Sequence, residues 1–295
     1  MDCVTRKHML YKTKVDYRLD AHGEPVNDYA MNHAVGCSHG CKYPCYALIS
    51  ATRFGQVGGY DEWCRPKPVA NTIDLLRREL AVKRKEPIKR VHMCFTTDPL
   101  PYIGDRADCE ALEYIRLATM ESIAAINDAG IPVTLLTKGE LPEPHVKPVS
   151  CLAIERPRAS IPMADLHSDN YYGISLVSLD EDFRKEYEPN AAPFANRLAS
   201  LKALHDSGCK TWVSIEPWME PVNYHFKAID ELYSCLNAII FVDRIVFGKR
   251  NYSAFKSNPL AEIYYNKCAK IVREFCSATG IECIIKSGTE TGGRS

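Results

Sequence analysis

The chain of 295 residues contains no apolar run that approaches the roughly 18 residues needed to cross a bilayer, so no membrane span is expected. It also lacks an excess of charge. Lys plus Arg total 37 and Asp plus Glu total 37, which removes the bulk electrostatic signature of a nucleic-acid or membrane-surface binder, though not a local groove. No G-x-G-x-x-G follows a candidate strand, which argues against a dinucleotide-binding open sheet. C-x-x-C is absent, so a redox dithiol is not indicated. No internal repeat is visible, and the only low-complexity segment is SGTETGGRS at 287–295. The opening residues, MDCVTRKHMLYKTKVDYRLD, are charged and have no apolar leader stretch. The expectation is a reducing, cytoplasmic protein whose thiols are mostly free.

Cysteine is what the chain does have, 13 in all. Most are scattered, and several sit in apolar runs, as Cys283 does in GIECII, in the manner of small core residues. Three are concentrated in NHAVGCSHGCKYPCYA, 32–47, where Cys37, Cys41 and Cys45 follow one another with three residues between. A structural zinc site wants four ligands, usually as two separated pairs. Here there is no second pair, and His39 as a fourth ligand would strain a tetrahedral site. A [4Fe–4S] cubane suits three thiolates better, because one iron is then left open for a substrate or cofactor. Gly36 and Gly40 would let the loop wrap around such a cluster.

From residue 90 onward, short apolar runs alternate with helical periodicity. Strands are predicted at 90–96, 132–137, 172–178, 210–216, 244–248 and 282–286, with another in AMNHAV before the cysteines. Helices are predicted at 72–85, 108–128, 193–206, 227–236 and 260–277. This alternation predicts a parallel sheet and an α/β fold, a full or partial β/α barrel, with an open doubly wound sheet as the alternative. In either, the chemistry lies beyond the carboxyl ends of the strands. The residues following those ends are the cysteine loop, TTDPLPY with Asp98, TKGELPEP with Lys138, then Ser175, Ser178 and Asp180, then Glu216, Pro217 and Trp218, then Lys249 and Arg250, and finally Lys286. The basic run RRELAVKRKEPIKR, 77–90, falls at a helix end and the start of a strand. That is the barrel floor, where cations complement the helix dipole and keep the surface soluble.

GCSHGCKYPCYA resembles the cluster loop of the radical SAM superfamily, with one departure. The common spacing is C-x3-C-x2-C, whereas Pro44 makes it C-x3-C-x3-C here. FTTDPLPY and LLTKG resemble motifs of the branch that includes spore photoproduct lyase, and SLVSLDEDFRKEYEPNAAPFANRLASLKALHDSG resembles its fourth strand, turn and following helix. The resemblance covers about 31–286 and implies a partial (β/α)6 TIM-type barrel with one possible additional C-terminal strand. The division expected is 1–30 as an N-terminal extension, 31–286 as the barrel and 287–295 as a disordered tail.

The resemblance further implies a 4Fe-4S cluster on Cys37, Cys41 and Cys45, with S-adenosyl-L-methionine on the open iron. Reductive cleavage would give a 5′-deoxyadenosyl radical that abstracts hydrogen from an unidentified substrate: nucleic acid, peptide or small molecule. An external one-electron donor such as a flavodoxin or ferredoxin is implied as partner. Tyr43 would pack near the adenine, with Tyr46 as its rival. Thr97 and Asp98 would lie near the methionine ammonium, Lys138 would meet the carboxylate, and Ser175 or Ser178 would reach the ribose. Each has an ordinary reading too: Asp98 as a turn residue before Pro99, Lys138 as a solvated loop lysine, Tyr43 as packing. Glu216, Trp218, Lys249, Arg250 and Tyr102 are candidates for substrate contact. Alternation places Cys94 on the face of Thr96 and Asp98, making it either a hydrogen-atom donor or a buried strand cysteine. The rival to an enzyme is an iron–sulfur or zinc-binding scaffold that kept the barrel while Pro44 moved Cys45 out of register.

Overall fold

Short apolar runs in the strands and apolar residues at every third or fourth helix position dictate a sheet wrapped in helices, and the computed structural model has that form. It describes residues 1–13, 29–104, 109–143, 166–219, 227–249 and 259–290. In chain order the elements are β1 (Leu10–Lys12), β2 (Tyr29–Met31), β3 (Ala34–Val35), α1 (Tyr46–Arg53), α2 (Tyr60–Trp63), β4 (Lys67–Pro68), α3 (Thr72–Leu80), β5 (Val91–Met93) and α4 (Glu110–Asp128). They continue with β6 (Val133–Thr137), β7 (Tyr171–Ser175), α5 (Glu181–Tyr187), α6 (Phe194–Asp206), β8 (Lys210–Trp218), α7 (Lys227–Ala238), β9 (Arg244–Lys249), α8 (Pro259–Thr279) and β10 (Glu282–Ile285). The main sheet runs β1-β2-β5-β6-β7-β8-β9-β10. Neighbours from β2 to β10 pair in parallel, and β1 joins antiparallel to β2. The result is a partial barrel in which β10 is the additional C-terminal strand. No helix among the described residues is long and apolar enough to cross a membrane.

Alternation assigns the two faces. Val133, Leu135, Tyr172, Ile174, Val213, Ile215, Ile245 and Phe247 face outward into one core shared with helix residues such as Ile126, Leu201, Leu236 and Val272. The opposite face turns into the lumen, where Trp212, Val246 and Ile284 form a small core of their own with Leu136 and Tyr171 against it. Trp212 Nε1 donates to the Leu135 carbonyl at 2.9 Å, and its indole lies over Gly173. Tyr171 closes the floor beneath it. The cationic heads of Arg90, Lys210 and Arg244 lie 5.4, 5.7 and 4.1 Å from its ring centroid. Lys210 pairs with Asp169 at 2.6 Å and Arg244 with Glu282 at 2.8 Å. Arg90, at the end of the basic run, is therefore built into the floor.

Several expectations change. The helix at 72–85 stops at Leu80, before three consecutive cations (Lys83, Arg84, Lys85) and Pro87, which disfavour its continuation. The N-terminal extension contributes β1, a strand of three residues, too short to read from alternation. The tail is ordered at its start. Thr289 is buried and donates its N–H to the Lys286 carbonyl at 3.0 Å, and Glu290 pairs with Arg273. The remainder, 291–295, lies outside the described residues, as do Cys151 and Arg250.

The strand expected over 90–96 ends at Met93 because Cys94 adopts φ +66°, the one positive φ among described non-glycine residues. Such a conformation costs about 1 kcal/mol or more and breaks the alternation. The Cys94 thiol consequently turns toward buried His33, with Sγ 3.2 Å from Nδ1. His33 Nε2 lies 3.1 Å from the Ile115 carbonyl and 2.8 Å from Thr119 Oγ1, both on α4. A carbonyl only accepts, so Nε2 carries the proton and Nδ1 accepts from the thiol. Burial holds the His33 imidazole down to about 4 from 6.5, against the opposing effect of the Ile115 bond.

Two outcomes follow from this packing. A Cβ at Gly173 would lie 2.3 Å from Trp212 Nε1. Gly173→Ala is expected to cost ~2 kcal/mol of stability, measured as a lower urea midpoint at unchanged slope. His33 is neutral when folded and protonates more readily when unfolded. Its contribution is complete above about pH 6.5 and is lost as pH falls toward 4, ~3 kcal/mol in all. The unfolding free energy of His33→Gln should therefore fall less steeply than that of the wild type across that window; parallel curves would contradict the assignment.

Candidate active site

The cysteine loop lies over the carboxyl ends of β2, β5 and β6, with its own small core of Ala47, Ala51, Val57 and Trp63, against which Cys37, Cys45 and Cys64 pack. Gly36 (φ +96°) and Gly40 (φ +59°) make its turns. A Cβ at Gly36 would be 2.6 Å from the Trp63 carbonyl oxygen, and one at Gly40 would be 2.9 Å from the Tyr60 hydroxyl. Only glycine combines that conformation with that closeness. Loop carbonyls are turned onto donors outside the loop. The Gly36 carbonyl accepts from Thr97 Oγ1 (2.5 Å), Ser38 from Asn190 Nδ2 (3.1 Å), His39 from the Asn190 N–H (3.3 Å) and Gly40 from the Tyr60 hydroxyl (2.6 Å). Thr97 is thereby a support of the loop.

A sulfide cluster held by thiolates is anionic, so a loop whose carbonyl oxygens are drawn away from the cysteines fits it. The loop also offers three cysteines, Cys37, Cys41 and Cys45, the number such a cluster takes when one iron is left open. Among the described residues no three His, Cys, Asp or Glu side chains surround one point as a single metal ion needs. A cubane asks instead for one thiolate on each of three irons. Burial pushes the Cys41 thiol up to about 12, with the Glu188 charge adding to it, and pushes Cys37 well above its ordinary value, with Asp98 adding there. Deprotonation of these thiols therefore depends on a bound cation. His39 is not placed as a zinc ligand. Its Nε2 accepts from the Tyr102 N–H at 3.0 Å, so the proton is on Nδ1, which lies 3.3 Å from Asp98 Oδ2, close but off the line of a good hydrogen bond.

Asp98 is a buried node. Oδ1 accepts from the Leu100 N–H (2.9 Å) and the Thr137 hydroxyl (2.6 Å), and Oδ2 accepts from the Lys138 N–H (2.8 Å). Burial opposes the charge, but His39, Thr137 and the Lys138 amide together hold the carboxyl below its usual range. Asp98 thereby joins the ends of β5 and β6.

A second node was not legible as a site. Glu188, with no solvent exposure, accepts from Lys138 Nζ at 2.7 Å and from the Tyr43 hydroxyl through Oε1, and from Arg197 Nη2 at 2.7 Å through Oε2. Burial would raise its carboxyl; Lys138 and then Arg197 overcome that and bring it down to about 2. Lys138 Nζ stands 5.5 Å from the Tyr43 ring centroid. Tyr43 is buried beneath the loop, whereas Tyr46 is exposed and its hydroxyl donates to the Phe95 carbonyl. A signal for Arg197 existed: Phe194, Arg197, Leu201 and Leu204 share the buried stripe of α6, and a cation on such a stripe requires a buried partner.

Of the remaining candidates, Ser175 stays on the lumen face, while Ser178 donates to Glu231 on α7 and turns away. Trp218 is buried against α8, its Nε1 donating to the Tyr264 hydroxyl at 2.8 Å. Cys94 is occupied by His33, away from the mouth. Glu216 and Lys286 form an ion pair that crosses Gly248, from the end of β8 to the end of β10. Lys249 sits at the end of β9, its N–H 3.3 Å from Thr289 Oγ1. The cysteine loop, Asp98, Lys138 and Glu188 thus occupy one side of the mouth and the Glu216–Lys286 pair the other.

Comparison with known structures gives the same architecture. A structure of spore photoproduct lyase complexed with dinucleoside spore photoproduct superimposes with a TM-score of 0.60 over 96% of this chain and 80% of that one, at 14% identity. A mutant form of that lyase with bound AdoMet and dinucleoside spore photoproduct gives 0.57 over 92% and 80%, also at 14% identity. At that identity the likeness establishes the fold. No curated protein matches the chain in sequence. The sequence model of the radical SAM superfamily, whose members use a 4Fe-4S cluster and S-adenosylmethionine, matches residues 31–230, more than half of the chain, which therefore belongs to that superfamily and is a radical SAM enzyme.

Proposed function

We propose that Cys37, Cys41 and Cys45 hold the cluster, that S-adenosylmethionine lies between it and Lys138, and that the substrate enters over Glu216 and Lys286. Together the two cofactors supply reductive cleavage of the sulfonium to a 5′-deoxyadenosyl radical that takes a hydrogen atom from the substrate, with the electron coming from an external donor such as a flavodoxin or ferredoxin. The observation that carries this reading is the cysteine loop, with its carbonyls drawn outward and its Tyr43 sharing the Glu188 carboxylate with Lys138 at the end of β6. Lys138 has the charge to meet the methionine carboxylate, and Ser175 has the lumen position to reach the ribose. Tyr46 can cover the adenine side, and the loop over the barrel excludes water from a reactive radical. Among the described residues the mouth carries charge of both signs and Arg90 lies in the floor, which favours a small polar molecule or peptide over a nucleic acid, whose phosphates demand a row of cations.

Cys41→Ala separates this from the scaffold reading. After anaerobic reconstitution, the variant is expected to lose the cluster EPR signal and all 5′-deoxyadenosine formation. The stability of the cluster-free protein should change by no more than ~1 kcal/mol. Global unfolding of the variant would instead mark the loop as a structural centre. A wild-type cluster whose spectrum ignores S-adenosylmethionine would favour the scaffold.

A further inference from the structure

The trio of Lys138, Glu188 and Arg197 carries two cations and one anion, and the three members are held very differently. Arg197 has no solvent exposure, and three of its nitrogens are fixed. Nε donates to the Ala192 carbonyl (2.8 Å), Nη1 to the Ser175 carbonyl (3.0 Å) and Nη2 to Glu188 (2.7 Å), with the guanidinium 4.7 Å from the Phe194 ring centroid. It cannot move without dismantling the end of β7. Glu188 is equally buried and lies between this fixed cation and the lysine. Lys138 is the arm that reaches toward solvent, its side chain 14% exposed. An ammonium has three N–H donors, and one suffices for Glu188.

Arg197 is thus the counter-ion that neutralises Glu188. With that charge cancelled, Glu188 can bond Lys138 and fix its direction without removing the positive charge it offers. A lone glutamate would have cancelled the lysine, and a lone lysine on four rotatable carbons would have wandered. The third bond to Glu188, from Tyr43, ties the same carboxylate to the residue two positions after Cys41. The turn that carries Glu188 is itself pinned to the loop, by the Lys42 N–H on the Tyr187 carbonyl (2.8 Å) and by Asn190 on Ser38 and His39.

We propose that Glu188 is a positioning residue: it aims the Lys138 ammonium at the carboxylate of S-adenosylmethionine and locks that aim to the cysteine loop, while Arg197 preserves the trio's net positive charge. The inference rests on the reading of Lys138 given under Proposed function.

The variant Glu188→Gln/Arg197→Gln tests it. The first change keeps the shape of the side chain and the second shortens it, and the trio keeps its net charge of one, since Lys138 alone then carries it. The measurement is anaerobic calorimetry of S-adenosylmethionine binding to reconstituted wild type, the double variant, Lys138→Met and the triple variant, with iron content recorded for each. If Glu188 aims the lysine, the double variant binds ~10-fold more weakly at full iron content, as expected for loss of an ordered lysine. In the Lys138→Met background the same two changes then have no further effect. Undiminished affinity in the double variant, or an equal loss with and without Lys138, overturns the positioning role and leaves the parent reading intact. A wild type that binds no S-adenosylmethionine overturns the parent reading instead. If the double variant does not fold, a structure of the wild-type complex decides. Lys138 Nζ must then be within hydrogen-bond distance of both Glu188 and the ligand carboxylate, and a lysine that has left Glu188 for the ligand refutes the inference.

Discussion

A carboxylate shut away from water keeps its charge only if protein groups replace the hydration it lost. Glu188 meets that condition with two cations and a phenol, and the four groups come from four stretches of chain: the cysteine loop, the end of β6, the turn after α5 and the buried face of α6. Because the ionised form is worth most when all the partners are in place, each stretch fixes the others. Asp98 repeats the arrangement one strand away, with backbone and hydroxyl donors in place of cations. The cysteine loop has a small apolar core of its own, and Glu188 adds a polar tie to the barrel through Tyr43.

The sheet lends itself to this division of labour. Its outward face is committed to the helices, so the lumen face is where polar groups collect, above the plug of Trp212, Val246 and Ile284. Below the plug, three cations around Tyr171 are matched by acidic partners and carbonyls, which leaves the upper end as the chemically active one. Across that upper end, Glu216 and Lys286 meet over Gly248, whose missing side chain gives them room. One side of the mouth is thus built around sulfur and buried carboxylates, and the other around a single ion pair.

Much of the barrel was legible because its strands are continuous apolar runs and its helices keep their period. Segments such as VTLLT and FANRLASLKALHD admit few other readings. The elements that escaped were β1, β4 and α2, where two to four residues carry no periodicity, α5, a helix of seven residues with none buried, and α1, which starts at Tyr46 directly after Cys45 without a capping side chain; the strand expected in AMNHAV is split into β2 and β3. Within the site, the cysteines were read from spacing and Lys138 from its place after a strand. Asp98, Thr97 and Tyr43 were found as residues but assigned to the ligand, whereas their hydrogen bonds go to the protein. Position along a strand tells which end a side chain occupies. It does not tell whether that side chain's bonds are already taken. Cys94 shows the further limit that one left-handed residue can turn a side chain to the other face, and nothing in the pattern RVHMCFT announces it.

The order of the sheet leaves β1 at one edge and β10 at the other, so among the described residues the ring of strands does not close. A closed barrel is a hoop: widening it anywhere strains every strand pair, and its bore is set by strand number and stagger. An arc with free ends bends as a spring does. The distance from the cysteine loop to the Glu216–Lys286 pair can then change by small adjustments of twist spread over the strands between, with no hydrogen-bonded pair broken. The span of the mouth is in this sense not fixed by the geometry of a ring.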